Sequence, residues 1–321
     1  MVNHMADLSV QLGDLRLRNP VLSASGTYGH GLEMQHFSSP LSMGGLVSKT
    51  VTLEPRPGNP APRIRETRAG FLNSIGLENR GVEHYIENTL PQVRGADTMV
   101  MTNIGGASVE DFVAIAARLD RERGIDALEI NLSCPNVQGG KLPFGTVPDM
   151  AAEVITGVRA VTSLPLFAKL SPNVTRISEM AVAVEQAGAA GITAVNTLLG
   201  MAVDWRSGLP GLSTVQGGYS GVGMMPVALR CAWECARSVS IPVIGCGGIS
   251  TAEDALEFLS VGCHAIQIGT ASFSNPSLPG EMAQDLGTLL DAAGIASIQE
   301  VIGNIKDGRE SSAPRAPISA R

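Results

Sequence analysis

Aromatic residues are scarce, with seven Phe, three Tyr and two Trp making 4% of 321 residues. Glycine is abundant at 37. Few rings and many glycines suit tight βα turns and close approach of backbone to a ligand. Basic residues are outnumbered: 23 Lys and Arg against 30 Asp and Glu give a net charge of -7 and a pI near 5.3. That balance argues against nucleic acid as a main partner. The five cysteines, Cys134, Cys231, Cys235, Cys246 and Cys263, are odd in number and form no C-x-x-C pair. This excludes a simple disulfide or metal framework and points to a reduced, cytoplasmic protein. Cys231 and Cys235, four apart in an expected helix, read as packing residues. No apolar run approaches the length of about 18 residues that a membrane span needs. The first residues, M-V-N-H-M-A-D, form no apolar signal segment.

What is present is alternation. Val10 to Arg18 reads as a hairpin around Gly13-Asp14. Eight apolar runs then recur: Val21–Ser25, Gly45–Lys49, Thr98–Asn103, Ala127–Ser133, Leu164–Leu170, Gly191–Asn196, Pro242–Gly245 and Ala265–Gly269. Amphipathic stretches at helical spacing separate most of them: Ser108–Arg123, Asp149–Val161, Arg176–Ala187, Pro226–Ser238 and Ala252–Ser260. Strand-helix alternation repeated eight times predicts an α/β fold, a (β/α)8 TIM barrel. A doubly wound open sheet is the alternative, since periodicity alone does not show closure. Two connections exceed what a crossover needs, Thr50–Arg80 and Leu198–Gly223. They read as long structureless loops over the carboxyl-terminal face, placed there for function. Residues 1–308 are expected to form one domain, and the Ser/Pro/Ala/Arg-rich stretch 309–321 a frayed tail.

The strand ends carry the chemistry. They are Ser25, Lys49-Thr50, Asn103, Asn131 with Ser133 and Cys134, Lys169, Asn196-Thr197, Gly247-Gly248 and Gly269-Thr270. Two lysines, three carboxamides and a thiol converging on one barrel mouth are poorly explained as solvated surface. Glycines ending the seventh and eighth strands mark the usual barrel phosphate site, with Ser250-x-x-Glu253 read as the cap of the next helix. A phosphate-bearing cofactor is the natural guest. One lysine suits a substrate carboxylate, and the other suits negative charge on a reduced ring. A thiol near a lysine can serve as a base.

These residues resemble the flavin-dependent dihydroorotate dehydrogenases of pyrimidine synthesis. The resemblance rests on S-A-S-G from Ser23, S-K-T from Ser48, G-N-P-A-P-R from Gly58 and L-N-S-I-G-L-E-N-R-G from Leu72. It continues through N-L-S-C-P-N from Asn131, F-A-K-L-S-P-N from Phe167, V-N-T from Val195, G-C-G-G-I from Gly245 and I-G-T from Ile268. It runs from about Asn19 to Ser274 in the family's order.

The resemblance implies a barrel binding FMN at its strand ends. Cys134 is then the base taking a proton from C5 of dihydroorotate, with the C6 hydride going to flavin N5. It implies substrate contacts at Lys49, Asn73, Ser74, Ile75, Gly76, Leu77, Asn131, Asn196 and Thr197. FMN contacts are implied at Ser25, Lys49, Thr50, Asn103, Asn131, Lys169, Val195, Gly221, Gly247, Gly248, Gly269 and Thr270, and no metal site. Cys134 in place of serine is similar to the soluble class I, and N-V-Q-G-G-K-L-P-F-G-T after it is similar to the NAD-linked subclass B. That subclass implies a homodimer core within a heterotetramer, whose partner subunit carries FAD and a [2Fe–2S] cluster. The cysteines here are not grouped to hold such a cluster. The competing readings are a dihydropyrimidine dehydrogenase-type catalytic module, a fumarate-linked class I enzyme, and a non-catalytic flavin- or phosphate-binding barrel.

Overall fold

The computed structural model describes residues 5–133 and 144–306. Eight parallel strands form a closed barrel: β1 (Val21–Ser23), β2 (Gly45–Val47), β3 (Met99–Ile104), β4 (Ala127–Asn131), β5 (Leu166–Leu170), β6 (Gly191–Ala194), β7 (Val243–Cys246) and β8 (Ala265–Ile268). Each pairs with its sequence neighbour, and β8 returns to β1 with Ile266 beside Val21 and Ile268 beside Ser23. The open sheet is thereby excluded. The expected strand centres are all correct, and the ends differ by one or two residues. Barrel strands lie between the core and a shell of helices, so both faces are apolar and the runs read as nearly continuous.

The helices are α1 (Gly81–His84, a π turn at Tyr85–Thr89, then Leu90–Val93), α2 (Val109–Leu119), α3 (Pro148–Arg159), α4 (Ile177–Gln186), α5 (Met225–Ser238), α6 (Ala252–Ser260) and α7 (Leu278–Ala293). The β1–β2 connection has only two 3-10 turns, at Leu32–Met34 and Pro40–Ser42. In α1 the π turn falls just before Pro91, which has no N–H to give to the preceding turn. Burial follows the sequence periodicity. In α2 it takes Phe112, Ile115, Ala116 and Leu119, and in α5 Ala228, Cys231, Ala232 and Cys235. The two α5 cysteines are therefore packing residues, and burial pushes both thiols above the usual range. Phe112 and Phe258, on helices, are fully buried against the barrel, and Phe167, on the same face of β5 as Lys169, is fully buried inside it. Each contributes about 1.5–3 kcal/mol by leaving water.

The N-terminal hairpin pairs Val10–Leu12 with Leu15–Leu17 around Gly13. Gly13 approaches Ala190, just before β6, so the hairpin lies at the amino-terminal end of the barrel. Among the described residues no helix is long and apolar enough to cross a membrane.

The two long connections are not structureless. They pair with each other into a four-stranded antiparallel sheet, ordered Leu198–Met201, Gln216–Ser220, Gly70–Asn73 and Ile64–Thr67. Tyr219 stands opposite Leu72 and Gly218 opposite Asn73. The partners are some 145 positions apart, so local periodicity could not reveal the pairing. Gly70 lies at φ 149°, and a Cβ there would stand 1.9 Å from the Ser220 carbonyl oxygen. Only glycine permits this approach of the two connections. The expected tail at 309–321 lies outside the described residues.

Candidate active site

The carboxyl ends of all eight strands and the inner face of this sheet enclose one cavity of about 760 Å³. Small-molecule sites typically hold roughly 300–1,000 Å³. From β1 comes Ser25, and from β2 Lys49 and Thr50; their neighbours on β3, β4 and β5 are Asn103, Asn131 and Lys169. β6 is followed by Val195, Asn196 and Thr197, β7 by Gly247 and Gly248, and β8 by Gly269 and Thr270, all on the wall. The sheet contributes Asn73, and the segments that follow its strands contribute Ile75, Leu77 and Gly221.

Two expected residues stand elsewhere. Ser74 accepts from Asn59 Nδ2 at 2.9 Å and donates its N–H to the Arg63 carbonyl, which holds its side chain in the connection. Gly76 packs against Asn59, where a Cβ would come within 2.8 Å. Neither lines the cavity. Cys134, the expected base, lies outside the described residues; β4 ends at Asn131, three positions before it.

The carboxamides are oriented by their neighbours. Asn196 Nδ2 donates to Asn131 Oδ1 at 3.2 Å, and Asn196 Oδ1 accepts the Thr197 N–H at 2.7 Å. Lys49 lies between Glu78 and Arg63, themselves ion-paired at 2.6 Å. Burial pushes its ammonium below the ordinary lysine range; Glu78 opposes that shift and Arg63 adds to it.

Lys169 behaves oppositely. Burial is the largest single influence and would lower it, but the Glu129 carboxylate at 3.4 Å, together with the neighbouring Cys246, outweighs burial, and the ammonium sits above the ordinary range. Lys169 Nζ also donates to Gln267 Oε1 at 2.9 Å. Glu129 and Gln267 are polar residues within otherwise apolar strands, and the strand-end reading missed them. So were Arg63, Arg68, Phe71, Ser220 and Phe273 on the wall. The signal available for Glu129 was a charge inside a buried run, a rare event unless it is paired.

The helix cap is shifted by one residue from its expected place. Thr251, not Ser250, caps α6, and Asp254, not Glu253, completes the box. Asp254 Oδ2 accepts the N–H groups of Ser250 and Thr251. A carboxylate thus already occupies that helix start, which leaves the glycine backbones of β7 and β8 as the better anion contacts.

A family model described as dihydroorotate dehydrogenase matches residues 7–290. This chain belongs to the dihydroorotate dehydrogenase family. It is 44% identical over 302 residues to the "Dihydroorotate dehydrogenase B (NAD(+)), catalytic subunit" of Bacteroides thetaiotaomicron, covering 94% of this chain and all of that relative. The catalytic subunits of the same name from Desulforamulus reducens and Bacillus pumilus are 48% and 46% identical, each covering 92% of this chain. They are covered over 98% and 96% of their own lengths. The barrel architecture agrees with the dihydroorotate dehydrogenase resemblance read from the motifs.

Gly248 and Gly269 of this dihydroorotate dehydrogenase family member differ in what constrains them. A Cβ on Gly248, at φ 85°, would stand 2.6–2.9 Å from Cβ, Cα and N of Met225 at the start of α5. On Gly269 it would meet only ordinary contacts, Ala24 at 3.4 Å and Thr27 at 3.7 Å. Gly248→Ala is therefore expected to cost more than about 1 kcal/mol. Gly269→Ala should stay within about 0.5 kcal/mol in thermal unfolding. Equal losses would show that Gly248 is not held by α5.

Proposed function

We propose that this chain binds FMN at the barrel mouth and oxidises (S)-dihydroorotate to orotate as the catalytic subunit of an NAD-linked enzyme of pyrimidine biosynthesis. The observation that carries the reading is the cavity floor. It offers the Lys169 ammonium beside Asn103, whose buried Oδ1 has no hydrogen-bond partner. An acceptor left unpaired in this way calls for a ligand N–H. A ring with alternating donors and acceptors along one edge fits that floor, and the cavity is large enough for it. The glycine backbones at Gly247-Gly248 and Gly269-Thr270 would hold the FMN phosphate, as barrel strands seven and eight commonly do. Ser25, Thr50, Asn131, Val195 and Gly221 would complete its contacts. Bound FMN supplies a two-electron acceptor for the hydride lost from C6 of dihydroorotate.

The chain's own residues would do the rest. Lys49, on the wall beside Asn73 and Asn196, would hold the substrate carboxylate. Asn73, Ile75, Leu77, Asn131, Asn196 and Thr197 would fix the pyrimidine ring, which brings C5 and C6 into one orientation. Cys134 would take the C5 proton as thiolate, being nearer neutrality than a serine hydroxyl. The sheet over the mouth would exclude water during transfer.

Electrons would leave through another polypeptide carrying FAD and a [2Fe–2S] cluster, around a homodimer core. The relatives' name, catalytic subunit, supports a second subunit. Among the described residues no group of three or more His, Cys, Asp or Glu could hold a metal ion.

Two outcomes test the reading. With an artificial dye as acceptor, Cys134→Ser should retain flavin but lose about 10²-fold or more of its turnover at neutral pH. Part of that should return as pH rises, because a hydroxyl needs a stronger base to lose its proton. Wild-type turnover at pH 7 would remove Cys134 from the role. The chain alone should form NADH poorly, and addition of its FAD and [2Fe–2S] partner should restore it. Brisk NAD reduction by the chain alone would overturn the two-subunit reading, and turnover with fumarate alone would replace NAD as acceptor.

A further inference from the structure

Directly beneath the cavity floor lies a polar hub that the proposed chemistry does not use. Glu129, Thr193 and Gln267 are each fully buried and line no part of the cavity. Glu129 accepts four hydrogen bonds. Oε1 receives Gln267 Nε2 at 2.6 Å and Thr193 Oγ1 at 2.8 Å. Oε2 receives Asn103 Nδ2 at 2.6 Å and Lys169 Nζ at 3.4 Å.

The chemistry of the donors fixes every orientation. Lysine only donates, so the Gln267 atom facing it is the carbonyl oxygen, and its NH₂ must turn to Glu129. A carboxylate only accepts, so the Asn103 NH₂ also turns to Glu129. Asn103 Oδ1 is left on the other side, buried and unpartnered. Lys169 spends two of its three N–H groups within the hub, and one remains for the cavity that it lines. Glu129 thereby determines that the floor presents one cationic donor and one neutral acceptor. Stability does not call for such a hub, because a buried ion pair is often matched or bettered by apolar residues of similar volume.

We propose that Glu129 is a positioning residue for the bound flavin, fixing from beneath the floor Lys169 as a cationic donor and Asn103 as an acceptor toward the ring. This rests on the FMN reading above. With the carboxylate replaced by an amide, Lys169 loses the ion-pair partner 3.4 Å away that opposes the effect of burial on its charge. Asn103 loses the acceptor that orients it. The floor then offers less positive charge to a reduced, anionic ring.

The test is flavin affinity and the two-electron midpoint potential of the purified chain. Glu129→Gln should bind FMN at least ten-fold more weakly. Its reduced form should lose a further ten-fold relative to the oxidised form, which lowers the midpoint by about 30 mV. Glu129→Asp keeps the charge and should retain the reduced-to-oxidised affinity ratio within two-fold. If Glu129→Gln does not fold, Gln267→Met decides: it removes a donor of Glu129 and an acceptor of Lys169 without reaching the cavity. A three-fold or greater loss of FMN affinity supports the proposal. Wild-type affinity and potential, with only thermal stability reduced, would overturn it, as would a rise in potential. Wild-type protein that binds no FMN would instead refute the flavin reading itself.

Discussion

Hydrogen bonding between β8 and β1 closes the sheet, and that closure puts every strand's carboxyl end on one ring. A closed barrel has no free edge to pair wrongly. It also sets residues 150 or more positions apart in sequence within reach of one ligand. Ser25 and Gly269 share a wall because β1 and β8 are neighbours. Thr193 and Lys169 share a hub because β5 and β6 run side by side, with those two residues in register. Asn103 and Glu129 are likewise in register across β3 and β4. The donor set at the mouth is thus a property of the closed sheet, and the loops above it refine the set.

Much of this was legible in the sequence for a local reason. A parallel strand buried on both faces is a short apolar run, and its polar terminator is visible as the place where the run stops. Lys49, Lys169 and Asn196 could be read in that way. What was not legible depended on pairing between distant segments. The sheet over the mouth joins Gly70–Asn73 to Gln216–Ser220, and nothing in either segment names the other. The hub was overlooked for a different reason. Glu129 sits in A-L-E-I-N, Thr193 in G-I-T-A and Gln267 in A-I-Q-I, each inside a run that scores as apolar. A single polar residue does not alter a strand assignment, yet it is the feature that needs a physical explanation.

The two lysines at the mouth show how the same side chain is adapted to different work. Lys49 is partly exposed between a carboxylate and a guanidinium, and its ammonium is pushed down by burial. It suits an anion that arrives and leaves. Lys169 is held above the ordinary range by a carboxylate that is itself shut away from water. Breaking such a buried pair by removing one partner typically costs about 3–5 kcal/mol, so its charge is a fixed part of the floor. Under the proposed function, a permanent charge under the ring and an adjustable one beside the substrate would match the division between a resident cofactor and a passing pyrimidine acid.

The central claim is that the barrel mouth carries a flavin which an acidic dihydropyrimidine reduces. Anaerobic titration of the purified protein, followed by visible absorbance, tests it most directly. The protein should be yellow, and dihydroorotate should bleach it at one equivalent per bound FMN. Dihydrouracil, which has no carboxylate for Lys49, should leave the spectrum unchanged. Bleaching by dihydrouracil but not by dihydroorotate would contradict the account.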